Sequence, residues 1–283
     1  MFLVFWLYAG PAESGTFNGG LGSFFFSFGQ GNELKNIRVW TFSPRAIGPQ
    51  TRIVFIMHGL ARNARRYLEP WMAVAQRADV LLLAPEFSER FFPGSQAYNL
   101  GAIPGGREGA GCESTTFFAV EKIFDEVVRS TGIKGSSYRI YGHSAGGQFV
   151  HRLILFCPIA RVDRAVAANA GWYTMPDFEI EFPYGLKNSA VTEKGLAKSL
   201  RKNLVLLLGQ KDNDPGHPSL NRSLGAMRQG RDRLERGLNF FHRAKLEAQS
   251  LGVSLGWKVE TVPGVAHDQT RMAQAAAFLL LDK

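Results

Sequence analysis

The run Tyr141-Gly142-His143-Ser144-Ala145-Gly146-Gly147 constrains this chain more than any other segment. It joins Ser137 to Tyr141, which reads as a short strand, to Gln148 to Phe156, which reads as a strongly apolar helix. Glycines two residues either side of a serine answer a steric demand at such a junction. The chain must turn so sharply that the serine backbone is strained, and bulky flanking side chains would collide with the turn. The turn lifts the serine hydroxyl above the sheet and sets it at a helix N-terminus, where free N–H groups stabilise developing negative charge. G-x-S-x-G alone occurs by chance; the flanking strand and helix select the nucleophile-elbow reading over an incidental glycine-rich turn.

The rest of the chain supplies the sheet such an elbow needs. Strand-like runs cover Gly22 to Phe28, Asn36 to Ser43, Arg52 to Met57, Val80 to Ala84, Arg164 to Ala168, Leu204 to Leu208 and Trp257 to Val262. With the strand before Ser144 they make about eight. Helical periodicity fills most gaps, over Asn63 to Arg77, Thr115 to Ser130, Arg231 to Ser250 and Thr270 to Leu281. That alternation predicts a mostly parallel sheet flanked by helices. Phe91 to Gly111 holds too many breakers for a regular element. Asp177 to Ser199 reads as an irregular inserted lid. Nothing between residues 16 and 283 suits a domain boundary, so one domain is expected.

A serine hydroxyl needs a base, and an elbow of this kind takes its acid and then its histidine from later in the chain. The apolar run Leu204 to Leu208 opens through Gly209-Gln210-Lys211 onto Asp212, with Asp214 two residues on. Asp212 is nearer the strand end and is the favoured acid; Asp214, before Pro215, shapes the turn in this reading. The last strand leads through Pro263-Gly264-Val265-Ala266 to His267, the expected base. His217 is its rival. His58 and His143 occupy supporting positions in their motifs, and His151 and His242 lie on helices. The oxyanion donors are expected to be the backbone N–H groups of Ala145 and of Leu60, after the strand ending at Met57. Trp172 and Tyr173 follow a strand and are expected to bind substrate. Phe178, Phe182 and Tyr184 in the lid either line the pocket or pack the lid down.

Charge is the main compositional signal: 33 Lys and Arg against 24 Asp and Glu give a net charge of +9. The densest basic stretch, Arg222 to Lys245, is broken by Asp232 and Glu235 and carries no groove-reading motif, so it reads as a solvated helix face, not a nucleic-acid surface. The positive field still favours anionic surfaces or substrates. Two cysteines, Cys112 and Cys157, are too few for a disulfide scaffold and match no zinc spacing; whether they meet is open. No apolar run is long enough to span a bilayer. Phe2 to Tyr8, followed by Ala9-Gly10-Pro11-Ala12, resembles the end of a secretory signal within residues 1–15, which leans the reading towards a secreted or periplasmic protein over a cytoplasmic one.

On His58-Gly59, Gly142 to Gly147, Gly209 to Asp212 and Gly264 to His267, the chain resembles the α/β-hydrolase superfamily, and within it esterases related to polyhydroxybutyrate depolymerases and feruloyl esterases. The resemblance runs from about Gly22 to Leu281. It implies an eight-stranded, mostly parallel sheet, a Ser144–Asp212–His267 triad, no cofactor or metal, and acyl-enzyme cleavage of a small or polymeric carboxylic ester. The long Phe91 to Gly111 loop and the Arg222 to Ser250 segment depart from the pattern and are placed to border the site. A peptidase or amidase on the same fold is the alternative, and a non-catalytic binding protein a more distant one.

Overall fold

The computed structural model describes residues 17, 19–29, 34–103 and 111–281. The candidate signal remnant at residues 1–15 lies outside them. Eight strands form one sheet: β1 Gly20–Phe28, β2 Lys35–Ser43, β3 Arg52–Met57, β4 Val80–Glu86, β5 Tyr138–His143, β6 Val162–Ala168, β7 Leu204–Gly209 and β8 Lys258–Val262. Their order is β1-β2-β4-β3-β5-β6-β7-β8. β2 pairs antiparallel with β1 and β4, and every other pairing is parallel. The helices are α1 Ala64–Ala75, α2 Gly94–Ala97, α3 Phe118–Thr131, α4 Ala145–Phe156, α5 Glu193–Leu200, α6 Leu224–Met227, α7 Arg233–Ser250 and α8 Gln269–Leu281.

Parallel strands need crossovers, and the helices that provide them cover both sheet faces. Alternation along the central strands divides the core accordingly. Ile53, Phe55 and Met57 of β3 pack with Val120, Phe149 and Phe240 on the face covered by α3, α4 and α7. Val54 and Ile56 pack with Leu68, Trp71 and Met272 under α1 and α8. Burial on both faces explains why β3 and β7 read as unbroken apolar runs. From β3 the chain crosses outward to β4, whereas from β5 it crosses the other way to β6. The carboxyl ends of β3 and β5 therefore flank a topological switch point, the place where an open α/β sheet forms a crevice.

Four elements differ from the sequence reading. The glycine-rich Phe91 to Gly111 stretch does hold one regular element, the single helical turn α2, which is too short to show a period. The Asp177 to Ser199 stretch is not irregular throughout: α5 occupies its end, capped by the Thr192 hydroxyl, which accepts from Gly195 N–H at 3.1 Å. Eight residues with Leu196 and Leu200 buried are too few to raise a clear period. α4 begins at Ala145, three residues before the expected start, because its two glycines are helical here and are selected by packing. The basic helix α7 is not simply a solvated face, because Arg233 and Arg236 are buried.

Cys112 and Cys157 are joined by a disulfide. Cys112 lies at the far end of the glycine-rich loop and Cys157 caps α4, so the bond ties that loop to the helix carrying the elbow. The bond spans 45 residues. Replacing both cysteines by serine is expected to cost about 2–4 kcal/mol, chiefly by freeing the unfolded chain. A melting temperature several degrees lower than wild type would show it; an unchanged one would contradict it.

Candidate active site

Ser144 stands between β5 and α4 with φ 57° and ψ −116°, in the left-handed half of backbone space. The flanking glycines are required by close backbone approach. A Cβ on Gly142 would overlap the Gly146 carbonyl, one on Gly146 the Met57 carbonyl, and one on Gly147 the Ala168 carbonyl. Ser144 N–H is spent on Ala168 O at 3.0 Å. A serine at a helix N-cap ordinarily turns its hydroxyl back onto the first turn. Ser144 does not cap α4, and its Oγ makes no hydrogen bond to another described residue. It faces a cleft of about 330 Å³ instead, shared with Leu60, Gln148, Trp172, Arg233 and His267.

His267 lies on the turn between β8 and α8. Its Nδ1 pairs with Asp212 Oδ2 at 2.7 Å, which leaves Nε2 unpaired among the described residues. Asp212 is buried, and its other oxygen accepts from Arg233 at 3.1 Å. Asp214 instead accepts Gly216 N–H at 2.8 Å and shapes its own turn. The rival His217 sits edge-on to His267, ring centroids 5.7 Å apart, with Nδ1 held by Ser219 and Arg233. Of the two aspartates and two histidines in question, the structure thus brings together Asp212 and His267, in a cleft that also holds Ser144.

Three sets of contacts fix that arrangement. Asn169, at the end of β6, accepts Gly209 N–H at 2.7 Å and donates to Ala266 O at 3.0 Å, bridging the acid-bearing and histidine-bearing loops. Lys211 N–H bonds Val265 O at 2.8 Å alongside it, and a Cβ on Gly209 would crowd the Val265 and Ala266 carbonyls. Asp268 caps α8 by accepting from Thr270 and Arg271 N–H, which anchors the residue next to His267. Neither Asn169 nor Arg233 was expected at the site. Arg233 had a faint signal, since it opens a helix just after the acid loop.

Ala145 starts α4, and Leu60 lies on the turn Gly59 to Arg62, closed by Arg62 N–H to Gly59 O at 3.2 Å. The buried His58 side chain shapes the approach to that turn. Phe87 N–H donates to its Nε2 at 3.0 Å, so Nδ1 carries the proton and donates to Gly59 O at 2.9 Å. Burial lowers the His58 pKa to about 3, and the ring stays neutral.

Trp172 lines the cleft with its ring over the Arg152 guanidinium at 4.3 Å. Tyr173, expected to bind substrate, does not line the cleft. It is fully buried and stacks on Phe240 at 4.5 Å, so it is a core residue, not a substrate contact. Successive residues leave the chain in opposite directions, which sends Trp172 to the cleft and its neighbour inward. In the lid, Phe178 and Phe182 pack onto the core, and Tyr184 packs against Trp172 at 4.8 Å.

An elbow serine, an acid–histidine pair after β7 and β8, and this sheet order define an α/β-hydrolase, and the chain belongs to that family. It is 43% identical to poly(aspartic acid) hydrolase-1 from Sphingomonas sp. KT-1, over 94% of this chain and 100% of that one, with a TM-score of 0.87. It is 32% identical to a poly(3-hydroxybutyrate) depolymerase from Bordetella parapertussis, over 91% and 90% of the two chains, with a TM-score of 0.83. A fluorophosphonate-binding serine hydrolase from Staphylococcus aureus shares the fold at 12% identity, over 94% and 100% of the two chains, with a TM-score of 0.61. No protein-family model matches the sequence, and no curated protein matches it. The chain is a hydrolase. No helix among the described residues is long and apolar enough to cross a membrane.

Burial depresses His143 and His151 as it does His58. Unfolding returns each to an ordinary value near 6.5, so the unfolded chain binds more protons below that pH. Stability therefore rises with pH from about 3 to 6.5 for His58 and is lost as pH falls through that window. Each histidine contributes a slope approaching ~1.4 kcal/mol per pH unit. Denaturant unfolding at pH 7 and pH 5 is expected to show a clear loss at pH 5; equal stability at both would contradict the neutral buried state.

Proposed function

We propose that this hydrolase cleaves carboxylic esters through an acyl-enzyme, with Ser144 as nucleophile, His267 as general base and acid, and Asp212 as the orienting carboxylate. The observation that carries this reading is the 2.7 Å bond from His267 Nδ1 to Asp212, in a cleft shared with a serine whose hydroxyl is left unspent. That bond fixes the tautomer with Nε2 free to accept the Ser144 proton. Oγ then attacks the substrate carbonyl, and the developing oxyanion takes hydrogen bonds from Ala145 and Leu60 N–H. Collapse expels the alcohol, protonated by His267 Nε2. Water, deprotonated by the same nitrogen, releases the acid in the second half. Arg233 donates to the second oxygen of the buried Asp212 at 3.1 Å, so the carboxylate that orients His267 is not left unpaired out of water. Trp172 supplies the apolar wall for the substrate. The disulfide suits an oxidising compartment, which supports the reading of an exported protein.

Amide cleavage is the second reading. It is favoured by the 43% identical relative, whose name gives poly(aspartic acid) as its substrate. The same triad serves both bonds, and relative rates on p-nitrophenyl esters, poly(3-hydroxybutyrate) and poly(aspartic acid) separate them.

Ser144→Ala is expected to lower kcat by about 10⁴-fold or more, and Asp212→Asn by about 10⁴-fold. Asp214→Asn should leave kcat within about threefold, as a surface turn residue does. Circular dichroism checks folding, and labelling by a fluorophosphonate probe should vanish in Ser144→Ala, slow strongly in Asp212→Asn and persist in Asp214→Asn. Turnover by Ser144→Ala at the wild-type rate would overturn the assignment.

A further inference from the structure

We propose that Gln148 binds substrate directly, its side-chain amide donating to a second carbonyl oxygen on the acyl group close to the scissile bond. The inference rests on Ser144 being the nucleophile and names the acyl class that the same cleft selects. Gln148 lies one helical turn after Ser144, on the same side of α4, and lines the cleft. One turn is about 5.4 Å, so an acceptor oxygen four or five bonds from the attacked carbon comes within its reach.

The direction of the amide is set by Arg152. A guanidinium only donates. Arg152 meets Gln148 Oε1 at 3.2 Å, so the oxygen must face it. Asn99 must then present its own nitrogen, at 3.1 Å from the same oxygen. Arg152 is in turn fixed by Thr174 Oγ1 at 2.9 Å and Asn99 O at 3.1 Å. With Oε1 committed twice, the Nε2 donors turn away from Arg152. They make no hydrogen bond to a described residue. A Cβ on Gly171 would stand 3.1 Å from Nε2, so a glycine beside the cleft leaves this amide room.

Arg152 adds a further bias. It is fully buried, and no carboxylate among the described residues pairs with it. Its charge is felt in the cleft through Gln148, whose N–H groups it polarises, and through Trp172, whose ring it underlies. The polarised N–H groups of Gln148 favour an electron-rich oxygen over a methylene. A polymeric ester with a carbonyl in every repeat unit offers such an oxygen beside each scissile bond.

The test compares p-nitrophenyl 4-oxopentanoate with p-nitrophenyl pentanoate, which differ by one carbonyl. Wild type is expected to favour the oxo ester by about tenfold in kcat/KM, the discrimination of one well-placed hydrogen bond. Gln148→Met should bring the ratio close to one by slowing the oxo ester, with pentanoate turnover kept within about threefold. Gln148→Glu removes the donors while pairing with Arg152, and should collapse the ratio in the same way even if the methionine variant folds poorly. Equal losses on both esters would mean a structural or oxyanion role, and an unchanged ratio would mean no contact; either overturns the proposal. Failure of the nucleophile assignment is seen separately, as pentanoate turnover that survives Ser144→Ala. Absence of turnover of either ester by wild type would overturn both.

Discussion

The cleft depends on the close approach of three backbones around Ser144. Gly146 lies against the carbonyls that end β3, Gly147 against the end of β6, and Gly142 against the start of α4. A single methyl at any of the three would drive the helix off the sheet. The strained φ of Ser144 costs of order 1–3 kcal/mol, and the serine also forgoes the cap that would stabilise its own helix. The surrounding sheet, buried on both faces, holds this conformation. What the strain supplies is a hydroxyl committed to nothing else, at the amino end of a helix and at the switch point of the sheet.

Against that rigid serine, the histidine and its acid arrive on two separate loops that must agree in position to within a hydrogen bond. Gly209, Asn169 and the Lys211 to Val265 bond fasten those loops to each other before either meets the cleft. The same economy applies to charge. Asp212 is buried and shares its two oxygens between His267 and Arg233, so neither oxygen is left to compete for solvent. An ion pair of this kind adds little net stability compared with an apolar pair. Its place beside the histidine suggests it is kept for the orientation it imposes.

Features that follow from local steric or periodic rules were legible in the sequence. The elbow was legible because only glycine tolerates those contacts. The central strands were legible because double-sided burial leaves long apolar runs, and the order of Asp212 and His267 followed from the order of strands. Features set by tertiary neighbours were not. Tyr173 differs from Trp172 by one position, and only the twist of the chain after β6 decides which ring reaches the cleft. Arg233 and Arg236 stand among exposed basic residues and look no different in sequence, yet a buried carboxylate and a set of backbone carbonyls draw them inward. The pairing of Cys112 with Cys157 depends on how α3, β5 and α4, within the 45-residue separation, pack to bring the two ends together, which no local pattern encodes.

Charge in this protein is better understood by depth than by total. Most of the +9 excess is spread over the exterior, where water and salt screen it. Two guanidiniums near the cleft are not screened. Arg233 is neutralised by Asp212, so its influence stays local to the acid–histidine pair. Arg152 is hydrogen-bonded only by neutral groups, and its field reaches the cleft through a single amide and a single indole. A buried cation held by neutral acceptors is costly unless it is well hydrogen-bonded. It sits behind Gln148 and Trp172, two residues that line the cleft, so this one buried cation lies closer to the site than the scattered surface charges do.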